Sequence, residues 1–245
     1  MNTVMDSKRF SSALLWCVNE YKDDFRKSSG APSLHHPLGV CDLVLGAGGD
    51  EDTAIAALFH DFAEDKGGEA ILSRIREEFG ERVERIVRDC SDTIPSDYSM
   101  KECWVDRKVA HILHIADLEE DSRLVLTADT LHNARDHVRG LRTFGDKWWL
   151  NFRANVFIDK ELTPDICAAS TLWYLENKTL ALMQHTSFAN IGIREIFEFD
   201  GTILGDLIQV VQSIDEQLTN EQWAIFNDAC GLMRTLHNIG NYEND

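Results

Sequence analysis

Apolar residues along this chain recur mostly at helical spacing, and they rarely alternate with polar ones as a half-buried strand requires. From Phe10 to Phe25 the positions Leu14, Leu15, Val18 and Tyr21 predict an amphipathic helix. A loop with Ser28, Ser29, Gly30 and Pro32 follows. A second helix is then expected from Pro37, a residue suited to a first helical turn, to Leu45, closed by Gly46, Ala47, Gly48 and Gly49. The stretch from Asp52 to Asp65 reads as one Ala-rich helix, apolar at Ala54, Ile55, Ala57 and Leu58, and therefore buried; Lys66-Gly67-Gly68 ends it. Further helices are predicted over residues 69–79, 81–90, 103–116, 121–141, 147–156 and 163–185. The pattern over residues 1–185 is that of an all-α bundle. Residues 188–204 break it: Phe188, Ile191, Ile193, Ile196, Phe197, Phe199 and Ile203 form a mixed pattern compatible with short strands, before helical spacing returns at 205–216 and 220–236. Residues 186–245 are accordingly expected to be an appended C-terminal subdomain of unassigned role.

Composition narrows the class. Of the 245 residues, 44% are hydrophobic and 27% charged, the make-up of an ordinary soluble globular chain with enough apolar material for a core. The formal net charge of -18 repels nucleic acid and acidic membranes, so neither is an expected partner; a small anionic substrate remains compatible, because a bound cation and a few aimed basic side chains can invert the potential locally. Six scattered cysteines with no C-x-x-C pairing, and no secretory leader, point to a reducing cytoplasm and to cysteine as a small core hydrophobe. No apolar run reaches the length of a membrane span.

Three islands carry candidate chemistry: His35-His36-Pro37, then His60-Asp61-Phe62-Ala63-Glu64-Asp65, then Asp129-Thr130-Leu131-His132-Asn133. Adjacent His60 and Asp61 offer an imidazole nitrogen and a carboxylate oxygen to one ion, a donor set that suits Mn, Fe or Zn better than Mg or Ca. His36 and Asp129 complete the set and leave positions open, as a catalytic site needs; a metal held so lowers the pKa of a bound water. Glu64 and Asp65 lie one turn beyond His60 and Asp61, on the same side of the predicted helix, where a carboxylate can orient or deprotonate that water. Asn133, one turn after Asp129, can donate to a phosphate or hold a ligand in place. An isolated His-Asp pair is common by chance; the conjunction, with the middle island on a helix too apolar to carry charge without purpose, favours a metal site.

The order H…HD…D resembles that of the HD superfamily of metal-dependent phosphohydrolases. Arg26-Lys27-Ser28-Ser29-Gly30-Ala31-Pro32 followed by His36-Pro37-Leu38, the run from Ala56 to Asp65, Phe79-Gly80-Glu81-Arg82-Val83, and the run from Ala128 to Asp136 are similar to signatures of the RelA/SpoT-type alarmone hydrolase domain, in its small stand-alone form, over about residues 10–182. The resemblance implies an all-helical fold, Mn2+, and removal of the 3′-pyrophosphate from (p)ppGpp. It implies His36, His60, Asp61 and Asp129 as metal ligands and Glu64 and Asp65 as the pair that positions the water. It also implies Arg26, Lys27 and Asn133 as nucleotide contacts, with Arg107 and Lys108 as further phosphate contacts and Tyr174, beside Trp173, as an aromatic near the nucleotide. Two departures bear on the substrate: Ser33 stands where the family has Tyr, and Thr130 where it has Lys. A related nucleotide, (p)ppApp or NADPH, or a nucleotide-binding sensor without catalysis, are the alternatives.

Overall fold

The computed structural model describes residues 8–94, 103–154 and 161–185, with residues 209, 211–214, 219 and 222 beyond them. Eight α-helices follow one another: α1 Lys8–Tyr21, α2 His35–Gly46, α3 Glu51–Phe59, α4 Gly68–Phe79, α5 Glu81–Cys90, α6 Trp104–His114, α7 Glu120–Phe144 and α8 Pro164–His185. Among the described residues there is no strand beyond a single bridge between Phe25 and Pro32. The expected all-α bundle is what forms. The short strands expected at 188–204 lie outside the described residues; the described parts of 205–216 are helical.

α3 sits at the centre. Asp50 caps it, its carboxylate accepting from the Thr53 amide at 3.0 Å, an arrangement worth about 1 kcal/mol. Every residue from Thr53 to Phe59 is buried, and α1, α2, α5 and α7 pack around it. The side chains of Trp16, Phe59, Phe62 and Phe79 interlock with ring centroids 4.8–5.9 Å apart. The buried stripe of α1 is Phe10, Ala13, Trp16, Cys17 and the predicted Tyr21; of the other predicted positions Leu14 packs at the edge of the core, Val18 is half-buried and Leu15 is 62% exposed. Aromatic partners on α3 and α4 set the helix's rotation, and spacing alone left two phases open.

The predicted single helix over 52–65 is interrupted. α3 stops at Phe59, a turn carries His60 and Asp61, and a π-helical turn spans Ala63–Gly67. Gly67 and Gly68 follow with φ of 151° and 55°, conformations that only glycine adopts without strain, and so α4 can restart in a new direction. The helix expected at 147–156 is instead a 3-10 segment, Gly145–Asn151. α7, 25 residues long, runs the length of the bundle. From the C-terminal part, Val211 and Ile214 join the core, and Gln222 donates to Asp165 of α8 at 3.0 Å. Cys17, Cys41, Cys90 and Cys167 are buried and unbridged, as expected of core cysteines.

Candidate metal centre

Breaking the helix at residue 60 points His60 and Asp61 away from the α3 axis and towards α2 and α7. His60 donates from Nδ1 to the Ala57 carbonyl at 2.8 Å, which leaves Nε2 as a free lone pair. His36, at the start of α2, brings its own Nε2 to 3.1 Å from that of His60. Asp129 Oδ1 lies 3.2 Å from His36 Nε2 and 3.6 Å from His60 Nε2, while Asp61 Oδ2 lies 3.4 and 3.2 Å from the same two nitrogens. Donors about 2.1 Å from one ion are separated by roughly 3.0–3.4 Å in octahedral or tetrahedral arrangement. The observed spacings match, and His36, His60 and Asp129 form a compact group of three.

The second ring nitrogen of His36 completes the test of fit. A metal at Nε2 requires the proton on Nδ1, and His132 Nδ1 lies 2.9 Å away as its acceptor. His132 is suited to accept, because burial, then the neighbouring His36, lowers its pKa to about 3 and keeps the ring neutral. A proton on His60 can stand in the ion's place: against the cost of burial, and with that proton, Asp61 is held down at about 2, and Lys178 with the imidazoles holds Asp129 ionised. Two buried imidazoles and two partly buried carboxylates thus converge on one point, a donor set suited to a divalent cation.

Two cavities meet at Asp61. One, of about 340 Å³, is bounded by Glu64, Asp92, Lys108, Asn133, Tyr174 and Lys178 with Asp129; the other, of about 360 Å³, by Arg26, Lys27, Ser33, His36 and Asp65. Glu64 and Asp65 were expected on one side of a helix. The π-helical turn sends them to opposite cavities instead. Glu64 Oε1 accepts from the Asp92 amide at 2.8 Å, and burial, then Asp92 and Asp61, pushes its carboxyl up to about 8.

Arg26 donates to Asn133 Oδ1 at 3.0 Å, and Asn133 Nδ2 donates to Asp129 Oδ1 at 2.6 Å. Lys27 is exposed at the mouth of the second cavity. Arg107 and Lys108 both hold Asp92, at 2.8 and 2.5 Å, and only Lys108 of the two lines the cavity. Of the aromatic pair on α8, Trp173 is core, 1% exposed, and Tyr174 faces the cavity with its ring 4.6 Å from Lys108 Nζ.

The HD-domain family profile matches residues 13–143, more than half of the chain and all four candidate ligands. The chain belongs to the HD-domain family. Among curated HD relatives, the guanosine-3′,5′-bis(diphosphate) 3′-pyrophosphohydrolase MESH1 of Xenopus tropicalis is 32% identical over 136 residues, covering 54% of this chain and 70% of its own. The enzyme named guanosine-3′,5′-bis(diphosphate) 3′-pyrophosphohydrolase from Aquifex aeolicus is 31% identical over 130 residues, 53% of this chain but 17% of its own length. A probable GTP pyrophosphokinase of Mycobacterium leprae is 30% identical over 169 residues, covering 67% of this chain and 20% of its own. The HD fold is also that of a solved metazoan orthologue of SpoT, described as hydrolysing ppGpp (TM-score 0.59, 19% identity, 84% of this chain and 96% of that one). A Listeria monocytogenes crystal structure superposes with TM-score 0.54 at 20% identity, over 74% of this chain and 99% of that one.

Asp92, His111 and Lys178 of this HD centre were not among the candidates from sequence, and His132 stood in the third island without a role of its own. His132 had a readable signal, since Asp129, His132, Asn133, Asp136 and His137 repeat at the spacing of one helix face on α7. Lys178 had a weaker one, a lone lysine within the apolar run of α8. Its ammonium reaches Asp129 Oδ2 at 3.2 Å.

Proposed function

We propose that the chain is a metal-dependent nucleotide phosphohydrolase that removes the 3′-pyrophosphate of (p)ppGpp with an activated water, using Mn2+ held by His36, His60, Asp61 and Asp129. The observation that carries this reading is the convergence of both Nε2 lone pairs and two carboxylates at the junction of two cavities. The naming of the MESH1 relative, two thirds of whose length this chain covers, supports the substrate.

A divalent ion there supplies Lewis acidity to the phosphoryl group and to the attacking water. The chain supplies the rest. His132 and the Ala57 carbonyl hold the two imidazoles in the ligating tautomer. Glu64, a carboxyl that titrates near neutral pH, accepts the proton of the water. Asp65 faces the other cavity, where Arg26 and Lys27 neutralise the nucleotide, and Asn133 contacts the nucleotide from the first cavity. Lys108 contributes positive charge on the cavity side of Tyr174, with Arg107 sharing its carboxylate partner Asp92. Neither nucleic acid nor a membrane is part of the reading: the charge is -18, and among the described residues no helix is long and apolar enough to cross a bilayer.

Incubating the purified protein and Mn2+ with ppGpp should yield GDP and pyrophosphate in equal amounts; no turnover at any Mn2+ concentration overturns the reading. A panel containing ppApp and NADPH belongs in the same experiment, because Ser33 lines the second cavity and Thr130, its hydroxyl tied to the Leu126 carbonyl at 2.6 Å, brings no cation.

A further inference from the structure

Lys178 lies in the middle of α8 with 4% of its surface exposed. Asp129 Oδ2 is its one hydrogen-bonding partner among the described residues. An ammonium carries three donors, so two face away from that carboxylate. Asp129 is also divided: Oδ1 belongs to the imidazole cluster and only Oδ2 to Lys178. Once Asp61 and Asp129 balance a divalent ion, the buried ammonium has no carboxylate of its own. A buried charge left so is costly unless an anion arrives.

The surroundings repeat the demand. Lys108 shares Asp92 with Arg107, two cations on one carboxylate. Both lysines approach the ring of Tyr174, with Nζ 4.6 and 5.7 Å from its centroid. His111 is kept neutral, at about 3, first by burial and then by the nearby Lys178 and Lys108, with Asp92 and Asp129 opposing. His111 Nε2 and Thr171 Oγ1 are buried, belong to residues that line the same cavity as Asp129, and have no hydrogen-bond partner among the described residues. Native proteins leave few such atoms unpaired, and two in the lining of one cavity point to a ligand.

We infer that Lys178, His111 and Thr171 form a phosphate subsite one step removed from the metal ligands, which takes the distal phosphate of a diphosphate. This rests on the phosphohydrolase reading and sharpens it: a diphosphate spans the ligand cluster and the subsite, whereas a monophosphate occupies one of them.

The test is calorimetric binding of pyrophosphate and of orthophosphate to the full chain loaded with Mn2+. Wild type should prefer pyrophosphate by about tenfold or more, the worth of a charge-assisted hydrogen bond in a buried site. Lys178→Met should abolish the preference and Thr171→Val should reduce it, with Mn2+ affinity, read by electron paramagnetic resonance, unchanged in Thr171→Val. Equal affinity for the two anions in wild type, or a preference that survives both substitutions, overturns the inference. If Lys178→Met does not fold or loses Mn2+, Thr171→Val alone decides, in either direction. A Lys178-dependent pyrophosphate preference in a protein that does not cleave ppGpp would keep the subsite and remove the alarmone reading.

Discussion

Arg26 and Asn133, 107 positions apart in the chain, are joined by a 3.0 Å hydrogen bond from Nη2 to Oδ1, and Asn133 passes the connection on to Asp129 at 2.6 Å. The loop that carries Arg26 is thereby tied to the candidate ligand Asp129. Arg26→Ala should lower kcat/KM by about tenfold or more, mostly through KM, because it removes a cation from the nucleotide cavity and frees Asn133. Steady-state kinetics check the split; an unchanged KM counts against a nucleotide contact.

Asp61 stands where the two cavities meet. Asp61→Asn keeps its shape and loses its charge, so the helices should remain by circular dichroism while bound Mn2+ falls by more than about a hundredfold in affinity, taking activity with it. Metal analysis after dialysis reads this directly, and full retention of the metal would remove Asp61 from the ligand set.

Gly39 on α2 lies against the His132 ring, and a Cβ there would fall well inside contact with Cδ2 and Nε2. Gly→Ala within a helix ordinarily stabilises by about 1 kcal/mol, but here the clash outweighs that gain. Gly39→Ala should push His132 off His36 Nδ1 and weaken metal binding by about 10–100-fold, although it alters no ligand. Metal titration of the variant tests it.

Glu64 is the proton acceptor of the reading, and its carboxyl sits at about 8. Because the base works as a carboxylate, kcat/KM should rise with pH up to about 8 and then level. Glu64→Gln should remove that limb and most of the rate. A profile that stays the same in the variant excludes Glu64 as base.

His137 is buried on α7, where Trp148 donates to its Nδ1 at 3.1 Å, and burial lowers its pKa to about 4. The unfolded chain protonates this histidine near 6.5 and the folded one near 4. Stability is therefore fully present above pH 6.5 and falls as pH drops towards 4, by on the order of 3 kcal/mol from this group. Denaturant melts of wild type and His137→Gln should show a shallower decline in the variant over that window; parallel curves would contradict the assignment.

The all-α class and the islands that carry the candidate ligands His36, His60, Asp61 and Asp129 were legible because each depends on short-range pattern: apolar periodicity, a proline at a first turn, donors placed on buried helices; the helix expected at 147–156 was not, and a 3-10 segment stands there. Rotation of α1 was not, since Leu15 and Trp16 are both apolar and only the aromatic partners Phe59, Phe62 and Phe79 choose between them. Nor was the split of Glu64 from Asp65, which comes from a π-helical turn whose extra residue changes direction without changing composition.

What the chain's order of residues determined by itself was the material of the candidate metal centre: two imidazoles, two carboxylates and a carboxylate pair a few residues on, carried by helices with apolar faces. What tertiary packing alone decided was which charges meet. Asp92 comes between Arg107 and Lys108, and Lys178 comes to Asp129 from 49 residues away, because α8 packs on α7 and α6 packs on α8. Coulombic pairing depends on separation in space, and separation in sequence says nothing about it once helices fold back on one another.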